Sequence, residues 1–202
     1  MRAKLSERSG AAAAAANVSD ARVGDANMRA GSEAEAQAAN ALSHALGDAR
    51  LLLLGMWLGA AILFSFAVAP GAFKVLPARE LAGAIVTRII GVVNVGGFII
   101  ALLLLLATAF ARGRGAATKR ARGVEVIALS VLALATGVGH WVVSARMSAL
   151  RVAMGRPIDE VAASDPLRLA FNSLHGYSVA MMTMAMLAAF TAFILIARRN
   201  RG

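Results

Sequence analysis

Residues 165–197 read DPLRLAFNSLHGYSVAMMTMAMLAAFTAFILIA. Asp165 followed by Pro166 is a helix start. A carboxylate there can accept from the free amides of the first turn, and proline at the first helical position gives up an amide that has no partner anyway. From Leu174 to Ala197 the stretch contains no Asp, Glu, Lys or Arg. About 20 such residues, rising 1.5 Å each, cross a hydrocarbon core of roughly 30 Å. Lipid offers the backbone no hydrogen bonds, so a run that crosses it must be helical. The stretch therefore describes a helix that begins in water, at Arg168 and Asn172, and passes into a bilayer.

Three other runs have the same character: LLLLGMWLGAAILFSFAVAPGAF (51–73), AIVTRIIGVVNVGGFIIALLLLLATAF (84–110) and VEVIALSVLALATGVGHWVVSA (124–145). The expectation is an all-α integral membrane four-helix bundle, with helices at about 50–73, 82–111, 123–154 and 166–198 within a domain of 48–202. Beyond Ala145, Met147, Leu150, Val152 and Met154 keep near-helical spacing until Gly155 and Pro157 end it. The third and fourth helices are thus expected to project beyond the bilayer. Pro70 with Gly71 is expected to end or kink the first.

Composition agrees. The chain is 59% hydrophobic and 16% charged, where a soluble domain keeps roughly a quarter of its residues charged. Its net charge of +10 suggests nucleic acid until the charges are located. Residues 1–49 hold five Lys/Arg against six Asp/Glu, whereas residues 50–202 hold sixteen against five. The positive charge flanks the apolar runs, which is membrane-flank charge, and no nucleic-acid partner is expected. The absence of cysteine excludes disulfides, thiolate catalysis and Cys-based metal clusters. No Walker, HExxH or GxSxG pattern occurs, so a soluble-type hydrolase or nucleotide-binding enzyme has no support.

Residues 1–47 differ. AAAAAA at 11–16, few large apolar side chains and no periodicity mark 1–31 as low-complexity and disordered, and Met28 is an alternative start that would leave 1–27 outside the protein. Ser32 and Glu35 have capping-box spacing for a short helix, in which His44 is an exposed residue without a role. The 111–123 loop carries five Lys/Arg and no acid, which puts both termini in the cytoplasm by the positive-inside rule. The expected location is a bacterial inner membrane, spanned several times.

Polar residues inside the runs are the candidates for chemistry. Arg88 lies near the start of the second run, where it can snorkel to the interface, and Asn94 lies deeper, suited to an interhelical hydrogen bond. His140 and His175 face each other loosely if the last two helices form a hairpin turning near residue 160, with both toward the outer leaflet. They either bond neighbours or hold a metal or haem. Met182 and Met186, at i and i+4, are either interface filling or soft ligands for copper(I). Gly55 and Gly59 in GMWLG, and Gly137, suit close helix packing or a homo-oligomer contact. Glu125 complements the dipole at the start of the third helix.

Several motifs resemble the transmembrane protein 205 family. Trp57-x-Gly59, Phe64, Phe66, Ala69-Pro70, Phe73, Leu76-Pro77 and Ala82-Gly83 are similar to its opening pattern. Phe171, Leu174, His175 and Ser178 have its Phe-x-x-Leu-His-x-x-Ser spacing. The resemblance covers about 50–197. It departs at Ala180-Met181-Met182, where the family often has an asparagine, and the family has no fixed histidine at the position of His140. It implies a four-helix membrane bundle. Animal members are associated with tolerance of platinum drugs, and bacterial ones have no assigned activity. The layout is also similar to bacterial copper-resistance membrane proteins and to four-helix haem proteins.

Three functions remain open at this point. One is transport of, or tolerance to, a metal ion or small solute, at a polar site lined by His175, Asn172, Ser178, Arg88 and Asn94. The others are a structural or assembly factor without ligand, and a haem-binding redox protein using His175 and His140. An enzyme is the less favoured reading.

Overall fold

The computed structural model describes the backbone of residues 2–110 and 116–200, and the side chains of 28–110 and 119–200. Helix α1 (Arg2–Leu63) passes through a π-helical turn (Phe64–Val68) into α2 (Ala69–Val75). Then come α3 (Arg79–Phe110), α4 (Ala116–Val138), a second π turn (Gly139–Ser144), α5 (Ala145–Met154), a short 3-10 turn (Ile158–Glu160) and α6 (Pro166–Asn200). No strand occurs among the described residues. Four segments are long and apolar enough to cross a membrane: Met28–Val75, Arg79–Phe110, Lys119–Met154 and Pro166–Asn200. The chain is a multi-pass, all-α membrane protein. The third segment has 36 residues. At 1.5 Å per residue that is about 54 Å, so its ends extend outside a core of roughly 30 Å.

Two compact units divide the chain, Met1–Leu46 and Gly47–Gly202. In the first, the backbone is helical from Arg2, for which alanine's intrinsic propensity is sufficient reason. Its described side chains, 28–46, are all exposed, His44 among them.

The second unit holds the core. Leu54, Trp57 and Ala61 of α1 meet Ala101 and Leu104 of α3. Leu129 and Leu132 of α4, and Met182, Ala185, Ala189, Ala192 and Ile196 of α6, complete it. Alanine is frequent because lipid supplies no hydrophobic drive between helices; association depends on close backbone approach and dispersion. Helix α4 is central, packed on both α3 and α6.

Local chemistry explains the irregular turns. Pro70 has no amide to donate and its ring would press on the carbonyl four residues back. Instead of ending the helix, the chain widens by one residue per turn, with Ala69 N–H donating to Phe64 O, and continues to Val75. Gly155, at φ +61°, closes α5 in the left-handed conformation that glycine adopts without steric cost. Asp165 caps α6, its Oδ1 accepting from Leu167 N–H at 2.8 Å. Arg168, expected in water, is half-buried and donates to the Val161 carbonyl, which ties the α5–α6 connection to the base of α6.

Candidate functional site

The two ends of the bundle are closed by arginines, and the polar residues between them occupy different depths. At the end where α1 leaves residue 47, Glu125 of α4 is 1% exposed and bound on both oxygens. Arg50 of α1 and the Thr108 hydroxyl of α3 donate to Oε1, and Arg199 of α6 donates to Oε2 at 2.7 Å. Arg50 also donates to Thr108 Oγ1, and Arg122 donates to the Thr108 and Ala109 carbonyls that end α3. One carboxylate thus ties α1, α3, α4 and α6 together. Composition had suggested only flank charge and a helix-dipole role here. The available signal was that Glu125 is the only acid between Glu80 and Asp159, so flanking arginines had one possible partner nearby.

At the opposite end, Arg151 of α5 donates to Thr87 Oγ1 of α3 at 3.1 Å and lies over the Phe171 ring of α6, 5.1 Å from its centroid. An exposed ion pair, Arg79–Asp159 at 3.3 Å, joins the two connections at this end.

These contacts set the axial register. Arg151 meets Phe171, so residue 147 stands level with His175. His140 is then seven residues deeper, about 10 Å along the axis. It lies about 22 Å along the axis from the level of Glu125 and about 16 Å from that of Arg151. His175 therefore stands nearer than His140 to the Arg151 end of the bundle. His175 is exposed on α6, and Asn172 one turn away is exposed too. Arg88 is exposed on α3 and Ser178 is half-buried.

The structure brings His140 and Asn94 to one seam. Asn94 is 4% exposed on α3, and its amide lies against Gly139, where an added Cβ would stand 3.4 Å from Nδ2. His140 packs across Gly91, one turn from Asn94; a Cβ at Gly91 would stand 3.6 Å from Cε1 and 3.8 Å from Nδ1. That Nδ1 is buried and has no hydrogen-bond partner among the described residues. Trp141 stands edge-on to both His140 (5.0 Å between centroids) and Phe98 (4.9 Å). Gly137 gives Phe98 its space, at 3.2 Å from an added Cβ. Of the other small residues, Gly55 packs near Phe193 of α6, while Gly59 has nothing within 4 Å of an added Cβ.

The seam lies in the second π turn, a distortion that frequently marks functional positions. Its donor set is one imidazole and one amide. Among the described residues no three His, Cys, Asp or Glu side chains gather as metal ligands. Met182 lies in the core, 5% exposed, and Met186 packs against it from the edge.

Among known families, the model of a domain of unknown function, DUF4149, matches residues 52–156, just over half of the chain. No curated protein and no solved structure matches.

Proposed function

The chain belongs to the DUF4149 family, and from that premise we propose that it is a ligand-binding membrane protein whose site is the α3–α4 seam at His140 and Asn94. The observation that carries this reading is the buried Nδ1 of His140, which has no hydrogen-bond partner among the described residues and lies within an apolar candidate span. An unsatisfied polar group in an apolar medium costs several kcal/mol, on the order of the 2–7 measured for amides and hydroxyls. Intramembrane polar groups without a structural partner mark sites that handle solutes, ions or protons. An imidazole and an amide offer hydrogen bonds of both senses, which suits a small solute better than a metal ion. A pair of axial histidines for haem has less support, since His140 and His175 differ by about 10 Å in depth.

The same reading puts both termini in the cytoplasm, supported by the five Lys/Arg of the 111–123 loop. The Glu125 cluster then stands at the inner end and the Arg151 clamp at the outer end. Tolerance to a metal or solute, as in the family that the motifs resemble, would follow from sequestering or moving whatever the seam binds.

Native mass spectrometry of the full chain, released from membranes into lipid nanodiscs, tests this. The expected result is a small-molecule adduct on the wild type that His140→Phe loses while the protein keeps its thermal stability. Equal spectra for the two would overturn the reading.

A further inference from the structure

Where α1 passes α6, Leu51, Leu52, Gly55, Met56 and Phe193 line an open apolar groove of about 450 Å³. Its floor is low because residue 55 is glycine: an added Cβ would stand 3.5 Å from Cε2 of Phe193. Leu52 and Met56, 66% and 73% exposed, form one bank. Both helices belong to apolar candidate spans, so the groove opens to hydrocarbon.

The groove runs toward the end of the bundle that holds Glu125. Gly47 lies against the Asn200 side chain as Gly55 lies against Phe193, so α1 and α6 are antiparallel here. Asn200 is seven residues from Phe193, about 10 Å along the axis, and its amide donates to Asp48 Oδ1 at 3.3 Å. Arg198 and Arg199 stand just over one turn beyond Phe193. Arg199 is aimed by Glu125, which accepts from its Nη1 at 2.7 Å. The other donors of that guanidinium, on a side chain 37% exposed, have no hydrogen-bond partner among the described residues. Arg198 is exposed and enters no ion pair among the described residues.

The charge at this end selects the occupant of the groove. Arg50, Lys119, Arg120, Arg122, Arg198 and Arg199 are balanced there by two carboxylates, Asp48 and Glu125. Glu125 is already shared by Arg50 and Arg199, and Asp48 is held by Asn200, so cations remain in excess. A neutral lipid would fill the groove and leave that charge uncompensated. A water-soluble anion would meet the charge and leave the groove empty. A second copy docking on the same face would bring its own arginines to this level, and like charges oppose that contact. A molecule with an acyl chain and a phosphate head meets both demands, since a planar guanidinium presents parallel donors to phosphate oxygens.

We propose that the α1–α6 groove and the arginines at its mouth hold one anionic phospholipid, an acyl chain between Leu51, Met56 and Phe193 and the phosphate on Arg198 and Arg199. The proposal is independent of the His140 seam.

The test uses the full chain in nanodiscs of phosphatidylcholine and phosphatidylglycerol in equal parts. Native mass spectrometry counts the lipids retained on release, and a phosphatidylglycerol with a diazirine in its acyl chain maps where that chain lies. Each cation near a membrane surface contributes about fivefold to the affinity for an anionic headgroup, Arg199 less because Glu125 shares it. Phosphatidylglycerol should therefore be retained over phosphatidylcholine by about tenfold or more, with label on Leu51, Leu52, Met56 and Phe193. Arg198→Gln, a change at an exposed position, should lower that preference by about fivefold and leave the thermal midpoint unchanged. Lysophosphatidylglycerol should compete for the site, and glycerol 3-phosphate at the same concentration should not. Competition by glycerol 3-phosphate overturns the inference in favour of a site for soluble anions. Equal retention of the two lipids, or an unchanged preference in Arg198→Gln, overturns it in favour of a groove that any acyl chain fills. Label spread evenly over the lipid-facing helices, or crosslinks from Leu52 and Met56 to another copy, overturn it as well. Retention should be the same in His140→Phe, so this inference and the ligand-binding reading fail separately.

Discussion

The indole of Trp57 lies flat in a notch that exists only because residue 97 is glycine. A Cβ at Gly97 would stand 2.6 Å from Nε1 and 2.7 Å from Cε2. The ring cannot retreat, because Nε1–H donates to the Val93 carbonyl at 2.8 Å and the residue is 5% exposed. This contact is how α1 docks on α3.

Gly97→Ala is accordingly expected to destabilise the bundle. Alanine's better helix propensity would favour the variant by at most about 1 kcal/mol. Overpacking against a pinned ring costs about 1–3 kcal/mol, so the net sign is a loss. Thermal unfolding of detergent-purified protein should show a lowered midpoint, partly restored when Trp57→Leu is added. An unchanged midpoint would mean that the indole has room to shift.

Gly59 gives the opposite expectation. It lies in the same GMWLG motif but has nothing within 4 Å of an added Cβ. Gly59→Ala should leave the unfolding midpoint unchanged or slightly raised. If Gly59 instead meets a second copy, the alanine variant will shift the oligomer distribution in multi-angle light scattering and leave the monomer's stability alone. The two glycines read alike in sequence, and only the register of α1 on its neighbours separates them.

That contrast shows what was legible. The four spans follow from apolar length alone, and the ends at Gly155 and Asp165-Pro166 follow from local backbone chemistry. Rotation about each helix axis was not legible. Helix α6 is apolar on nearly every side, so no stripe in its sequence says whether His175 or Met182 turns inward; packing of Ala185, Ala189 and Ala192 on α4 decides, and it puts His175 out. The rule that polar groups in lipid turn inward does not apply to His175, because the contact of Arg151 with Phe171 places it one turn from the bundle's end. Glu125 escaped for a related reason. Its partners come from α1, α3 and α6, and a charge on one helix does not announce which distant helix will meet it.

Glu125 should be the costliest single polar residue to remove. Glu125→Leu leaves Arg50, whose side chain is 10% exposed, without its counter-charge. Breaking one partner of a buried pair costs about 3–5 kcal/mol. Replacing both partners by apolar groups of similar volume is often neutral. The double variant Arg50→Met/Glu125→Leu should therefore recover most of the loss, with Arg199, more exposed, left to solvent. Chemical unfolding of the two singles and the double measures this. A double variant as unstable as Glu125→Leu would mean that the cluster contributes more than mutual neutralisation.

At the other end, one guanidinium serves two helices, and its two contacts can be separated. Thr87→Val removes the acceptor for Arg151 Nη1 and also the hydroxyl that donates to Gly83 O at 2.7 Å. The Gly83 carbonyl keeps its helical bond, so the expected loss is that of one hydrogen bond, about 0.5–1.5 kcal/mol. Phe171→Leu keeps apolar volume but removes the ring face beneath the cation, for about 0.5–2 kcal/mol. Because both changes act on the same group, they should not add: once Thr87 no longer fixes the fork, the guanidinium is less constrained over the ring. A double-mutant cycle read by thermal unfolding should give an interaction of about 0.5 kcal/mol or more. Arg151→Lys should resemble the double variant, since an ammonium has no planar fork to stack and donate at once. Strict additivity would show that the hydrogen bond and the ring contact hold α5 to α3 and to α6 independently, so that either helix could part from Arg151 without loosening the other.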